Sequence, residues 1–197
     1  MPGLIPQEQL DAATPEQLAE LAAACLERFE PGFLPGPIFE QVARLSVLST
    51  VEVFAIDTED PTNPGVLYTR RPETDKWWPG QLHIPGSALL ASDEPQDVHD
   101  FSEPIMRVFE KELHNSLRRR GPLIPFDIQR RKGPRGKELT PFFWTEVELV
   151  PGAQLPDDAR FFKAAELEED TPQNIFIDTH AISGLMAIAA YRNSLQG

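Results

Sequence analysis

Residues 82–117 read LHIPGSALLASDEPQDVHDFSEPIMRVFEKELHNSL. The order is a short strand, a turn at Pro85 and Gly86, an acidic loop and one amphipathic helix. Projected at about 100° per residue, the helix from Pro104 to Leu117 puts Ile105, Met106, Val108, Phe109, Leu113 and Leu117 on its core side. Arg107, Lys111 and His114 point away. Glu112 falls inside the apolar stripe, where an ionised carboxylate is costly unless it is paired or holds a cation. Three readings stand for it: the stripe's solvated edge, an ion pair with an arginine, or a metal ligand.

Outward from that stretch, the 197 residues suit one domain with a real core and some extra elements. A hydrophobic content of 41% and a charged content of 25% are ordinary for a globular chain. No apolar run approaches the roughly 20 residues of a membrane span. The N-terminal MPGLIPQEQLDAAT has no basic leader and no apolar stretch, so a cytoplasmic location and no membrane partner are the expectation. The single Cys25 rules out an internal disulfide and a cysteine-based zinc site. A net charge of −13 argues against nucleic acid as a partner, which needs a positive surface. It leaves room for a small phosphorylated substrate, because carboxylates that hold a divalent cation supply local positive charge through the ion.

On the N-terminal side, Thr14, Pro15 and Gln17 make a helix start, with a hydroxyl cap, proline at the first position and glutamine at the third. The helix from Pro15 to Phe29 carries Leu18, Leu21, Ala22, Cys25, Leu26 and Phe29 on one face, and Glu30-Pro31-Gly32 stops it. A second short helix is expected from Pro37 to Leu45. Residues 1–46 therefore read as a helical extension, packed on the main domain or used for dimerisation, and 47–197 as the main domain. A homodimer is one expectation from this apolar helix. Val51 to Asp57 and Gly65 to Arg70 read as two strands joined by a hairpin loop, and Trp77 to Gly80 as an aromatic turn.

On the C-terminal side, Gly121 to Gly136 is basic and rich in proline and glycine, and reads as a solvated or phosphate-reaching loop. Leu139 to Val150 and Arg160 to Phe162 read as strands, and Lys163 to Glu169 as an exposed helical turn. A last helix, capped by Asp178 or Thr179, runs to Tyr191 with Ile182, Leu185, Met186 and Ala189 as its apolar face. The fold class expected is α+β, a mixed sheet between helices.

Leu82 to Ser87, followed by Arg107-Val-Phe-Glu-Lys-Glu112, resembles the Nudix hydrolases, which carry a Pro-Gly-Gly turn and a helix of the type Arg-Glu-apolar-x-Glu-Glu. Here Ser87 replaces the second glycine, Asp93 stands for the glutamate that ends the loop, and the loop is longer. Val108 and Lys111 replace two helix glutamates and Glu112 remains. Arg70, Arg71 and the run Trp77 to Gly80 look like the family's lead-in, and Asp158 to Leu167 like its closing strand and helix. The degenerate helix is most similar to the GDP-mannose mannosyl hydrolases. A Gln-His pair of that branch meets Leu155 and Pro156 here, with Gln154 one place off register.

The resemblance implies a Nudix-type α/β/α sandwich and a Mg²⁺- or Mn²⁺-dependent hydrolase cutting a nucleoside diphosphate linked to another group, with a nucleotide sugar as one case. The alternative it implies is a domain that has lost hydrolysis and binds or regulates. Carried over residue by residue, Glu112 and the Gly86 carbonyl would hold the metal. Glu112, Asp93 and Arg107 are the catalytic candidates, with Arg107 also a structural partner for a loop carboxylate. Arg70, Arg71, Trp77 and Trp78 are the substrate-binding candidates. His83 and His99 are further proton acceptors on offer, as are Asp97, Asp100 and Glu103 in the acidic loop.

Overall fold

The fold rests on a mixed eight-stranded sheet with helices on both faces, seen in a computed structural model that describes residues 6–30, 32–97, 100–168, 175–177 and 179–196. Three helices come first: α1 (Gln7–Ala12), α2 (Pro15–Leu26) and α3 (Gly36–Leu45). The strands β1 (Val47–Asp57), β2 (Gly65–Arg70), β3 (Leu82–His83) and β4 (Gly86–Ala88) follow. After α4 (Ser102–Arg107) come β5 (Leu117–Arg119), β6 (Ile124–Gly133), β7 (Gly136–Leu149) and β8 (Ala159–Lys163). The helices α5 (Ala164–Glu168) and α6 (His180–Ser194) complete the order. The sheet runs β3-β2-β1-β7-β5, with β4 paired to β1, β6 to β7 and β8 to β2. Only β1 and β7 are parallel among these pairs, in register Val53↔Phe143.

Strand β1 is apolar on both faces because both are covered. Val51, Val53 and Ala55 pack with Ile105, Val108, Phe109 and Leu113 on one side. Phe54 and Ile56 pack with Phe142, Ile188 and Tyr191 on the other. Glu52 shares the alternation of Phe54 and Ile56, and so is carried into a buried layer.

The central helix departs from its sequence reading. Regular helix ends at Arg107, and Val108–Glu112 form a π-helical turn closed by the Leu113 amide donating to the Val108 carbonyl at 3.1 Å. His114 and Asn115 then adopt positive φ and the chain enters β5 at Leu117. The wider turn changes the angular step only beyond Val108, so the exposure of Met106, which lies in the regular helix, has another cause. Met106, expected in the core, is 56% exposed, whereas Ile105, Val108, Phe109, Leu113 and Leu117 are buried as expected.

Three other expectations are corrected. The basic stretch 121–136 is not a solvated loop: Ile124–Gly133 pairs with β7 as a hairpin whose turn closes at the register Gly133↔Gly136. Along it exposure alternates, with Ile128, Arg130 and Lys132 outward and Gln129 and Arg131 half-buried, as a strand requires. Of the apolar face assigned to α6, Leu185 packs half-buried against the core but Ile182, 60% exposed, Met186 and Ala189 point outward, while Ser183, Gly184, Ala187, Ile188 and Tyr191 are buried. Small residues let this helix approach closely: a Cβ on Gly184 would lie 2.0 Å from the Tyr68 hydroxyl. Helix α2 has the expected reciprocal Thr14–Gln17 capping box, but it buries no residue. Thr179 precedes α6 without a side-chain cap bond, and Pro31, Glu169 and Asp178 lie outside the described residues. No helix among the described residues is long and apolar enough to cross a membrane.

Candidate functional site

Gly86 is the pivot of the site. It pairs with Glu52 across β4 and β1, and a Cβ there would lie 2.7 Å from the Val51 carbonyl oxygen and 3.1 Å from Glu52 Cγ. A side chain at this position would push the strands apart, so glycine is required by close approach. The π-helical turn brings Glu112 to the same point, where the Gly86 backbone amide and the Arg71 charge favour its ionised form. Glu112 is half-buried as a residue, but its Oε2 is sealed from solvent and has no hydrogen-bond partner. Burial prevails over those two favourable contacts and pushes its carboxyl up to about 7.

Two cavities meet beside Gly86. The inner one, about 100 Å³, is lined by Glu52, Arg71, Trp78, His83, Arg131 and His180 among others. The outer one is a groove of about 830 Å³ that includes Glu112, Arg107 and Lys111 in its wall. Gly86, Ser87, Ala88, Arg71 and Arg135 belong to both.

The inner cavity holds residues that the sequence reading did not single out. Glu52 pairs with Arg131, yet its Oε2 is buried and unpartnered, and desolvation pushes this carboxyl up to about 7. Arg131 also lies 2.9 Å from His180 Nε2, while the Ile84 amide donates to His180 Nδ1 at 2.9 Å. Burial and the neighbouring guanidiniums keep His180 neutral, well below its usual range. Glu138 accepts from Arg135 Nε at 2.9 Å. The orphaned Nε of Arg71 and of Arg131 add two unpartnered donors.

The sequence candidates separate into two groups. Glu112, Gly86 and Arg71 converge; Arg71 also contacts Asp75 at 3.6 Å. Trp78 is buried in the inner wall with the Arg135 guanidinium 5.2 Å from its ring. Trp77 instead carries Lys76 over its ring at 4.6 Å and lines a separate depression. Arg70 reaches the Gly80 carbonyl and lies in a pocket with Asp157 and Asp158, away from Gly86.

Arg107 and Asp93 form a two-pronged ion pair, with Arg107 Nη2 at 3.0 Å from Asp93 Oδ2 and 2.8 Å from the Ala88 carbonyl. Arg107 holds the Asp93 carboxyl below its usual range. The pair clamps α4 to the strand that carries Gly86. His83 has no free nitrogen: Nδ1 donates to the Ile84 carbonyl at 2.8 Å and Nε2 accepts from Thr69 at 3.0 Å. Burial drives its pKa to about 3, which leaves it unsuited to accept a proton and fits the packing role that a strand histidine beside a turn more often takes. Asp100 is engaged with the Gln96 and Ser102 amides, and Glu103 with the Glu94 amide, all on the exposed acidic loop. His99 lies outside the described residues.

No group of three His, Cys, Asp or Glu side chains able to hold a metal occurs among the described residues. A Mg²⁺ ion typically keeps several waters and uses only one or two carboxylates. Glu112 Oε2, a hard and unpartnered oxygen beside a backbone turn, fits such a partial set.

No protein-family model matches the chain, and no curated protein sequence matches it. Solved structures do. The Ap4A hydrolase of C. elegans superposes with a TM-score of 0.50 at 9% identity, over 77% of this chain and 100% of its own. The NUDIX domain of Shewanella oneidensis NrtR, complexed with ADP ribose, gives 0.50 at 13% identity, over 95% of this chain and 99% of its own. A NUDIX hydrolase from Nitrosomonas europaea gives 0.50 at 15% identity, over 75% and 91%. At these identities the likeness is one of fold, and the fold is the Nudix-type mixed-sheet sandwich.

Proposed function

We propose that this chain is a Nudix-type hydrolase, dependent on Mg²⁺ or Mn²⁺, that cleaves a nucleoside diphosphate joined to a second group. The observation that carries the reading is Glu112: a buried carboxylate oxygen with no partner, held beside the Gly86 turn where two cavities meet. A chain with no cation to bind would have little physical reason to keep that charge there. The solved structures of this fold add a chemical class, since one is an Ap4A hydrolase and another holds ADP ribose.

Glu112 and the Gly86 carbonyl would hold the metal. Bound there, such an ion would supply neutralisation of diphosphate charge and a more acidic water. Arg71, with Nε unpartnered at the junction, would anchor a phosphate oxygen, and Arg135 lies in the same wall. Glu52 lines the inner cavity with a free Oε2 and a carboxyl near neutrality, which suits it to take a proton from water. Arg107 and Asp93 act as positioning residues, locking the helix that carries Glu112 to the strand that carries Gly86.

The mannosyl-hydrolase variant finds no support around Gln154, since Leu155 packs against the second core cluster and Pro156 has no proton to move. The reading of a binding module without turnover draws on Val108, buried in the core where the family has a glutamate, and on the missing three-carboxylate cluster among the described residues. Calorimetric titration of Mn²⁺ into wild type and Glu112→Gln separates the two. Binding that disappears in the variant supports the hydrolase site, and equal or absent binding in both overturns it.

A further inference from the structure

Beyond the inner cavity, the outer groove has a composition that a sugar or a second nucleoside would not call for. The N-terminal segment supplies Leu26, Phe29 and Phe33 to one wall, and the main domain supplies Leu48, Leu89 and Leu90 to the other. Several of these are exposed although they are large and apolar, with Phe33 63% accessible. Contiguous exposed apolar surface rimmed by charge marks a ligand groove more often than a solvated face. Its volume of about 830 Å³ lies in the range of ligand pockets. Arg71, Arg135 and Gly86 are shared with the inner cavity, so two guanidiniums stand where the groove joins it. Lys111 stands in the groove wall with its ammonium 4.5 Å from the Phe33 ring. The junction with the inner cavity therefore suits an anion, and the apolar walls beyond it suit an apolar chain.

We propose that the group joined to the diphosphate is an extended apolar one, an alkyl or acyl-type chain, lying between the N-terminal segment and β4 with its phosphates at Arg71. This deepens the hydrolase reading and rests on it for the nucleoside diphosphate half. The opposing charges of a diphosphate and of the Arg71–Arg135 junction set the direction in which the ligand lies. Phe33, Phe29 and Leu26 determine specificity without touching the reacting atoms.

The probes are adenosine diphosphate esterified with a decyl chain, and ADP-ribose, titrated calorimetrically into the full chain with Mg²⁺. The decyl ester is expected to bind at least about tenfold more tightly, since each methylene withdrawn from water contributes favourably. Phe33→Ser and Phe29→Ser are expected to abolish that preference, bringing the affinities for the two ligands together. Phe33 is largely exposed, so its replacement leaves the core intact; circular dichroism of each variant checks this. Equal or weaker binding of the decyl ester overturns the proposal, as does a preference that survives both variants. So does a groove closed by a second copy, seen as a dimer by light scattering whose dissociation Phe33→Ser causes with no change in ligand preference. The two readings fail separately: turnover of ADP-ribose with no preference for the chain leaves the hydrolase standing, and a chain preference without any turnover leaves only the groove.

Discussion

Glu52 and Glu112 meet at Gly86: the Glu52 Cγ stands 3.1 Å from where a Gly86 Cβ would be, and Glu112 is held by the Gly86 amide. Each has a buried Oε2 without a partner, and each carboxyl is pushed up to about 7, chiefly by desolvation. Like charge adds to both, Glu52 raising the cost of ionising Glu112 and Glu138 that of ionising Glu52. Two such groups at one turn store electrostatic cost that a cation would relieve.

That cost gives the first prediction a definite sign. A carboxyl whose pKa is raised by folding is most favourable to the fold below its unfolded value of 4.5 and loses that contribution as pH rises through about 7. Glu112→Gln removes the penalty, so it is expected to stabilise the metal-free protein at pH 8 by about 1–3 kcal/mol, with no gain at pH 4. Denaturant unfolding at the two pH values measures it. Added Mg²⁺ is expected to stabilise wild type and not the variant.

Gly86→Ala tests the close approach. The added Cβ meets the Val51 carbonyl oxygen at 2.7 Å, which neither strand can yield without shifting β4. A loss of about 1–3 kcal/mol is expected, together with weaker Mn²⁺ binding. A variant as stable as wild type would show that β4 is free to move.

Removing one partner of the Arg107–Asp93 clamp leaves a mostly buried charge alone. Arg107→Ala or Asp93→Ala is expected to cost about 2–4 kcal/mol. Arg107→Lys should recover only part of this, because a lysine cannot reproduce the two-pronged contact with Asp93 plus the bond to the Ala88 carbonyl. Urea midpoints of the three variants report the ranking.

Gly184 is expected to reject alanine for a reason that can be relieved. Its Cβ would lie 2.0 Å from the Tyr68 hydroxyl, which donates to the His180 carbonyl at 2.9 Å. Tyr68→Phe alone should cost about 1 kcal/mol for the lost hydrogen bond. Combined with Gly184→Ala, it should lower the cost of the alanine, a coupling that a double-mutant cycle reads directly.

Much of the frame was legible in the sequence because the cues were local. The Thr14–Gln17 capping box, the strand formers of β1 and β2 and the turn at Gly86 are each specified by residues within a few positions. Glu112 stood out because a charge interrupts an apolar stripe. Glu52 did not, since a glutamate alternating with valines is ordinary in a strand with one wet face. Its burial depends on Arg131, 79 residues away, in a stretch whose prolines and glycines read as a loop. The face of α6 was hidden for a similar reason: Ser183 and Gly184 are weakly apolar, and their burial follows from the fit against Tyr68. No local pattern announced the π-helical turn, yet it aims Glu112 at Gly86.

The most direct measurement is metal-dependent hydrolysis of a panel holding ADP-ribose, Ap4A, nucleotide sugars and a decyl ester of ADP, with wild type and Glu112→Gln compared in Mg²⁺ and Mn²⁺. Losing even an outer-shell partner of a metal ligand typically costs about 10–100-fold, so removing the ligand itself should lower turnover by about 100-fold or more. Turnover of at least one member that requires the ion and collapses in the variant is the result predicted. No turnover of any member, or a variant as active as wild type, would contradict the role given to Glu112 and with it the hydrolase.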